Sequence, residues 1–124
     1  MWGFSFKPDT DDVREAPSLV TIRALLDAGA TIRAYDPEAM DNIRKLFGDD
    51  DRLVLVEEEF QALEGADALL VTTEWMQFSA VSLQRVKEKL KAPIIFDGRN
   101  IFTLDDMREA GFYYESIGRP IVRP

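Results

Sequence analysis

The 124-residue chain is 46% apolar and 31% charged, the balance of one soluble globular domain with its own core, and no apolar run approaches the ~20 residues that a membrane helix needs. Its net charge of −8 disfavours nonspecific nucleic-acid or acidic-membrane binding, which requires clustered Lys and Arg, so neither partner is expected. Cysteine and histidine are both absent, which excludes disulfides, thiolate nucleophiles, imidazole bases and zinc sites of the usual kind, and fits a cytoplasmic protein.

Apolar runs of strand length alternate with amphipathic segments of helix length. The first strand is predicted at 2–6. A helix follows from Pro17, because proline suits the first helical position, and Leu19, Ile22, Leu25 and Leu26 form its stripe up to the stop at Gly29. A second strand at 31–35 is closed by Asp36-Pro37, and a helix at 38–47 turns Met40, Ile43 and Phe47 inward. The third strand is 53–56, followed by a short helix at 57–64 ending at Gly65. The fourth strand, 67–72, is an unbroken apolar run, as expected of a central parallel strand covered on both faces. A helix at 80–90, a fifth strand at 94–97, a short helix at 104–110 ending at Gly111 and an edge strand at 112–115 complete the pattern. Residues 1–118 are assigned to the domain. The tail, 119–124, reads as a loose end or a segment that docks elsewhere. The chain opens with its first strand barely begun, which suggests an engineered boundary or a split gene product.

Repeated β/α units with short connections predict an α/β fold: a three-layer, doubly wound, Rossmann-like parallel sheet of five to six strands in the order 3-2-1-4-5-6. The switch point then lies between the first and fourth strands, and ligands are expected where the first, fourth and fifth strands end. Lys7, Thr72-Thr73-Glu74-Trp75 and Arg99 fall on that edge. Lys7 reads either as a solvated lysine before a turn proline or as a point charge at the ligand edge. Arg99 stands on the Asp97-Gly98 turn, where its guanidinium fork would match phosphate oxygens; the plain alternative is an ion pair with Asp97 or a neighbouring acid. Arg14 lies between Asp12 and Glu15 and reads locally as an ion pair with them. Trp75 reads as packing, with a place in a ligand-site wall as the alternative. Asp9, Asp11 and Asp12 read as residues that pin the loop through backbone N–H bonds, and no metal site is expected. The first loop, Gly3-Phe4-Ser5-Phe6-Lys7-Pro8, is not Gly-x-Gly-x-x-Gly, and without that loop Asp36 is a weak candidate for a ribose-binding acid.

The segments Gly3-Phe4-Ser5-Phe6-Lys7-Pro8-Asp9-Thr10-Asp11-Asp12-Val13-Arg14-Glu15, Thr73-Glu74-Trp75 and Phe96-Asp97-Gly98-Arg99-Asn100 together resemble the C-terminal domain of the UDP-glucose/GDP-mannose dehydrogenases over nearly the whole chain. The resemblance implies that Phe6, Lys7 and Arg99 contact a UDP-sugar, UDP-glucose before GDP-mannose or N-acetylated UDP-sugars. It also implies that Arg14 reaches an NAD held mainly by the N-terminal dehydrogenase domain. Complete enzymes of this kind oxidise the sugar C6 hydroxyl to a carboxylate with two NAD, UDP-glucose giving UDP-glucuronate. Their catalytic cysteine and glycine-rich NAD loop have no counterpart here, so no catalytic residue is assigned and the chain alone is expected to be inactive and monomeric. The alternative is a regulatory or interaction module with a receiver-like fold. It fits poorly, because Leu53-Val54-Leu55-Val56-Glu57 lacks the phosphoacceptor aspartate and Asp97-Gly98-Arg99 lacks the lysine.

Overall fold

A computed structural model describes residues 1–124. In chain order the elements are α1 (Pro17–Asp27), β1 (Ile32–Ala34), α2 (Met40–Phe47), β2 (Leu53–Leu55), a 3-10 turn (Glu59–Leu63), β3 (Leu69–Val71), α3 (Met76–Ser79), α4 (Leu83–Lys89), β4 (Ile94–Asp97), α5 (Leu104–Ala110) and β5 (Tyr113–Ser116). Every strand pair is parallel, so the chain has an α/β fold. The pairing makes two sheets, β1-β2 and β3-β4-β5. α1 begins at Pro17 as the sequence predicts and buries Ser18, Ile22 and Leu26 on one face. The helix expected at 57–64 is the 3-10 turn, and the helix expected at 80–90 is α4 alone, with α3 preceding it.

The predicted first strand is the main departure. Only Trp2 pairs, in parallel bridges to Tyr35 on one side and Val71 on the other. Its neighbours complete that join: Gly3 N donates to Tyr35 O at 2.8 Å and Thr72 N to Trp2 O at 2.9 Å. Gly3 then takes φ +97°, and an added Cβ there would sit 2.5 Å from the Thr73 side chain, so the chain turns out of the ladder at a residue that must be glycine. Beyond it the backbone groups find side chains instead of a strand. Phe4 N and Ser5 N donate to the Asp36 carboxylate, and Thr72 and Thr73 hydroxyls donate to Gly3 O and Ser5 O.

Two apolar clusters make the core. One gathers Trp2, Leu69, Val71, Phe78, Val86, Ile95, Met107 and Tyr114 under α3, α4 and α5, with Trp2 stacked on Phe78 at 5.0 Å. The other joins Phe4, Val13, Ile22, Leu26, Ala34 and Ile43 beneath α1 and α2. The other face of β3-β4-β5 is covered unevenly: Leu70 is half-buried against the second cluster, whereas Phe96 on β4 is 38% exposed. The 67–72 strand thus has apolar cover on both sides as the sequence predicts, and it is β4 whose second face is left open. The tail returns to its own sheet, where Val122 and Tyr114 exchange backbone hydrogen bonds of 2.9 Å. No helix is long and apolar enough to cross a membrane.

Candidate functional site at the carboxyl ends of the strands

Two buried aspartates shape the edge where the strands end. Asp36, immediately after Tyr35, is 1% exposed. Its Oδ2 accepts from Phe4 N, Ser5 N, the Ser5 hydroxyl and Trp75 Nε1, while Oδ1 accepts from Glu38 N at 2.8 Å and Ala39 N at 2.9 Å. One carboxylate thus ties the loop carrying Phe6 and Lys7 to the loop carrying Glu74 and Trp75. The sequence offers Asp36 only as a weak ribose ligand; with both oxygens committed to protein donors, it is a loop anchor.

Asp97, the last residue of β4, is 2% exposed and does the same for the next turn. Its Oδ1 accepts from Arg99 N (2.9 Å), and its Oδ2 accepts from Ile101 N (2.8 Å) and the Tyr114 hydroxyl. Burial, reinforced by the bond to Asp97, raises the Tyr114 hydroxyl far above the ordinary phenol range, so it remains a proton donor. Arg119 donates to that hydroxyl at 2.7 Å, linking the tail to the Arg99 turn. The residue with positive φ in this turn is Asn100 (φ 55°), not Gly98. Gly98 serves by packing, since a Cβ there would lie 3.2 Å from Val71 O. Asn100 is locked by reciprocal bonds with Ile117, of 3.0 Å to its carbonyl and 2.9 Å from its N–H.

Arg99 is the meeting point of these loops. Its Nη1 donates to both Glu74 carboxylate oxygens, at 3.0 and 3.3 Å, and its Nη2 donates to Phe6 O at 3.1 Å. Its Nε has no protein acceptor, and its side chain is 20% exposed. The plain alternative for Arg99 is thus met by Glu74 rather than by Asp97, which accepts the Arg99 backbone N–H but no guanidinium N–H. Phe6 is 38% exposed. Lys7 is exposed, makes no ion pair and lies with its Nζ 5.4 Å from the Phe6 ring. Arg99 is thus joined to the loop that carries Phe6 and Lys7 through the Phe6 carbonyl, while Lys7 lies beside the Phe6 ring.

Arg14 lies apart from Arg99 but shares a surface hollow with Phe6, Asp12 and Glu15. Its Nη2 meets Asp12 Oδ2 at 2.7 Å and its Nε meets Asp12 Oδ1 at 3.0 Å. This is the local pair that the sequence offers as its plain reading. The hydrogen bond from Arg14 holds the Asp12 carboxyl at about 2, so the pair stays charged through ordinary pH. With 87% of the Arg14 side chain exposed, the pair adds little to stability. Asp9, Asp11 and Asp12 do not converge, and no three acidic side chains are grouped to hold a metal ion. Trp75 is buried, with its indole N–H on Asp36 at 3.2 Å, and one side of it lines a hollow with Asp9, Thr10, Asp11 and Glu38. A dinucleotide does not fit the first loop: Gly3 is packed against Thr73 rather than open, and Asp36 has no oxygen to spare for a ribose.

Fold and site together define an α/β domain whose parallel strands present cations at their carboxyl edge. The family model described as the UDP-glucose/GDP-mannose dehydrogenase family, UDP binding domain, matches residues 1–106, and the chain belongs to that family. It is 44% identical over 118 residues to the UDP-glucose 6-dehydrogenase of Rhizobium meliloti, covering 95% of this chain and 26% of that protein. It is also 44% identical over 123 residues to the UDP-glucose 6-dehydrogenase of Pseudomonas aeruginosa, covering 97% and 27%. Among solved structures, an NDP-N-acetyl-D-galactosaminuronic acid dehydrogenase from Methanosarcina mazei superposes with a TM-score of 0.79 at 30% identity, covering 96% of this chain and 24% of that one. A UDP-D-ManNAc dehydrogenase from Pyrococcus horikoshii gives 0.74 at 26% identity, covering 95% and 24%. The chain thus spans about a quarter of the length of the curated relatives it matches.

Proposed function

We propose that this domain binds the nucleotide diphosphate of a UDP-sugar at its strand-end edge, with Arg99 and Lys7 on the anionic oxygens and Phe6 against the sugar or base. The observation that carries this reading is the bond from Arg99 Nη2 to Phe6 O, which joins the Arg99 turn to the loop carrying Phe6 and Lys7. A guanidinium already oriented, with its Nε free, is suited to take a phosphate oxygen. UDP-glucose is the proposed sugar nucleotide, supported by the names of the relatives at 44% identity.

The finer topology belongs to the same reading. With Trp2 bridged to both sheets, the two act as one surface in the order β2, β1, residues 1–3, β3, β4, β5, and the site lies at its switch point. Within a complete NAD-dependent UDP-glucose 6-dehydrogenase, the domain would contribute to oxidation of UDP-glucose to UDP-glucuronate, in the cytoplasm. NAD would be held mainly by an N-terminal dehydrogenase domain, with Arg14 reaching it. The residues of this chain supply positive charge and hydrogen bonds to the substrate, and the domain alone is a monomer without turnover.

Titration calorimetry with UDP-glucose tests the binding. Arg99→Ala is expected to weaken it about 10- to 100-fold, the loss of charged hydrogen bonds worth roughly 1.5–3 kcal/mol. Binding unchanged in Arg99→Ala contradicts the placement of the diphosphate.

A further inference from the structure

Glu74 reaches across from the loop after β3 to the turn after β4; topology puts both on one edge, and the structure shows that they pair. Resting on the reading that Arg99 meets the ligand's diphosphate, we infer that Glu74 is the positioning residue of this site: it holds the Arg99 guanidinium in the orientation that receives the anion. An arginine side chain carries several rotatable bonds, and ordering them during binding lowers affinity; a partner that fixes the fork beforehand removes that cost. Here the fixing is distributed over three elements. Arg99 N is on Asp97, Nη2 is on Phe6 O and Nη1 spans both oxygens of Glu74. The first two involve groups fixed by the fold. Glu74 is the one side chain whose removal would free the fork without disturbing the turn. Its own loop is held independently, because the following residue, Trp75, donates to the buried Asp36. The pairing consumes Nη1 and leaves Nε–H unpartnered, so Arg99 is oriented without being used up.

Charge repulsion argues the other way, because a carboxylate 3.0 Å from the guanidinium would also repel an incoming phosphate. The two effects have opposite signs and can be separated. Glu74→Ala removes both the anchor and the charge, whereas Glu74→Gln removes the charge and keeps an oxygen acceptor for Nη1. The Glu74 side chain is 40% exposed and Arg99 keeps its bond to Phe6 O without it, so both variants are expected to fold.

The test is calorimetric titration of the chain with UDP across Arg99→Ala, Glu74→Ala, Glu74→Gln and the Glu74→Ala/Arg99→Ala double variant. Positioning predicts that Glu74→Ala loses about tenfold in affinity, that Glu74→Gln recovers most of it, and that the double variant is no weaker than Arg99→Ala alone. Unchanged or tighter UDP binding in Glu74→Ala, with Arg99→Ala still weakened, overturns the positioning role and leaves the diphosphate site standing. Unchanged binding in Arg99→Ala removes that site and this role with it. A ligand-free measurement covers the case of affinity too low to titrate. The NMR order parameter of the Arg99 Nε–H is expected to fall in Glu74→Ala and to be retained in Glu74→Gln. An order parameter unchanged in Glu74→Ala overturns the inference without any ligand.

Discussion

Asp36 shows how much of this edge depends on one carboxylate. Six donors converge on it, four on Oδ2 and two on Oδ1, and the residue is fully enclosed. Asparagine has nearly the same shape but must turn an N–H₂ toward N–H groups that then lose their acceptor. Asp36→Asn is therefore expected to destabilise the fold by about 2–3 kcal/mol, the cost of leaving buried donors unpaired. Urea denaturation measures this, and a loss below about 1 kcal/mol would contradict the anchoring role. The sequence places Asp36 correctly at a strand end but cannot reveal its partners, which lie 31 and 32 residues away in one direction and 39 in the other. The same limit hides the Arg99–Glu74 pair, separated by 25 residues. Arg99 itself is legible, because Asp97-Gly98-Arg99 advertises a turn with a presented cation. Its orienting partner is legible only as a neighbouring acid on the same edge, because no periodicity links the two turns and so none singles out Glu74.

At the scale of elements, hydrophobic periodicity locates the helices well where a stop signal exists. Pro17 opens α1 and Gly111, at φ 77°, closes α5. The first strand fails for a different reason. Residues 2–6 carry the right apolar pattern, but Gly3 turns the backbone out of the ladder, and side chains of Asp36, Thr72 and Thr73 take over its hydrogen bonds. The two faces of β4 show a second limit. Ile94-Ile95-Phe96 reads as uniformly apolar, yet Ile95 is 0% exposed in the core and Phe96 is 38% exposed on the open face. Neighbouring residues on opposite faces should therefore differ sharply. Ile95→Ala is expected to cost about 2–4 kcal/mol, as for a core truncation, and Phe96→Ala less than about 1.5 kcal/mol, as for a half-exposed ring. Denaturant midpoints of the two variants decide, and equal losses would mean that the open face is covered.

At the scale of the whole molecule, the α/β class was legible from the alternation of elements and the family from three separated segments, because both leave signals within short stretches of chain. The division into two sheets was not, because it depends on a single residue, Trp2, pairing with both. Nor was the tail, whose Val122 pairing with Tyr114 and Arg119 contact with the Tyr114 hydroxyl support the Arg99 turn from behind. These long-range joins give the domain one edge at which three loops meet, with cations against an overall charge of −8. The most direct measurement is NMR chemical-shift mapping of the labelled chain during titration with UDP. Shifts should concentrate at Phe6 and Lys7, Thr73–Trp75 and Gly98–Asn100, and should disappear in Arg99→Ala. Shifts centred elsewhere, for instance at the opposite strand ends around Gly29–Arg33, would contradict a ligand site at the carboxyl edge.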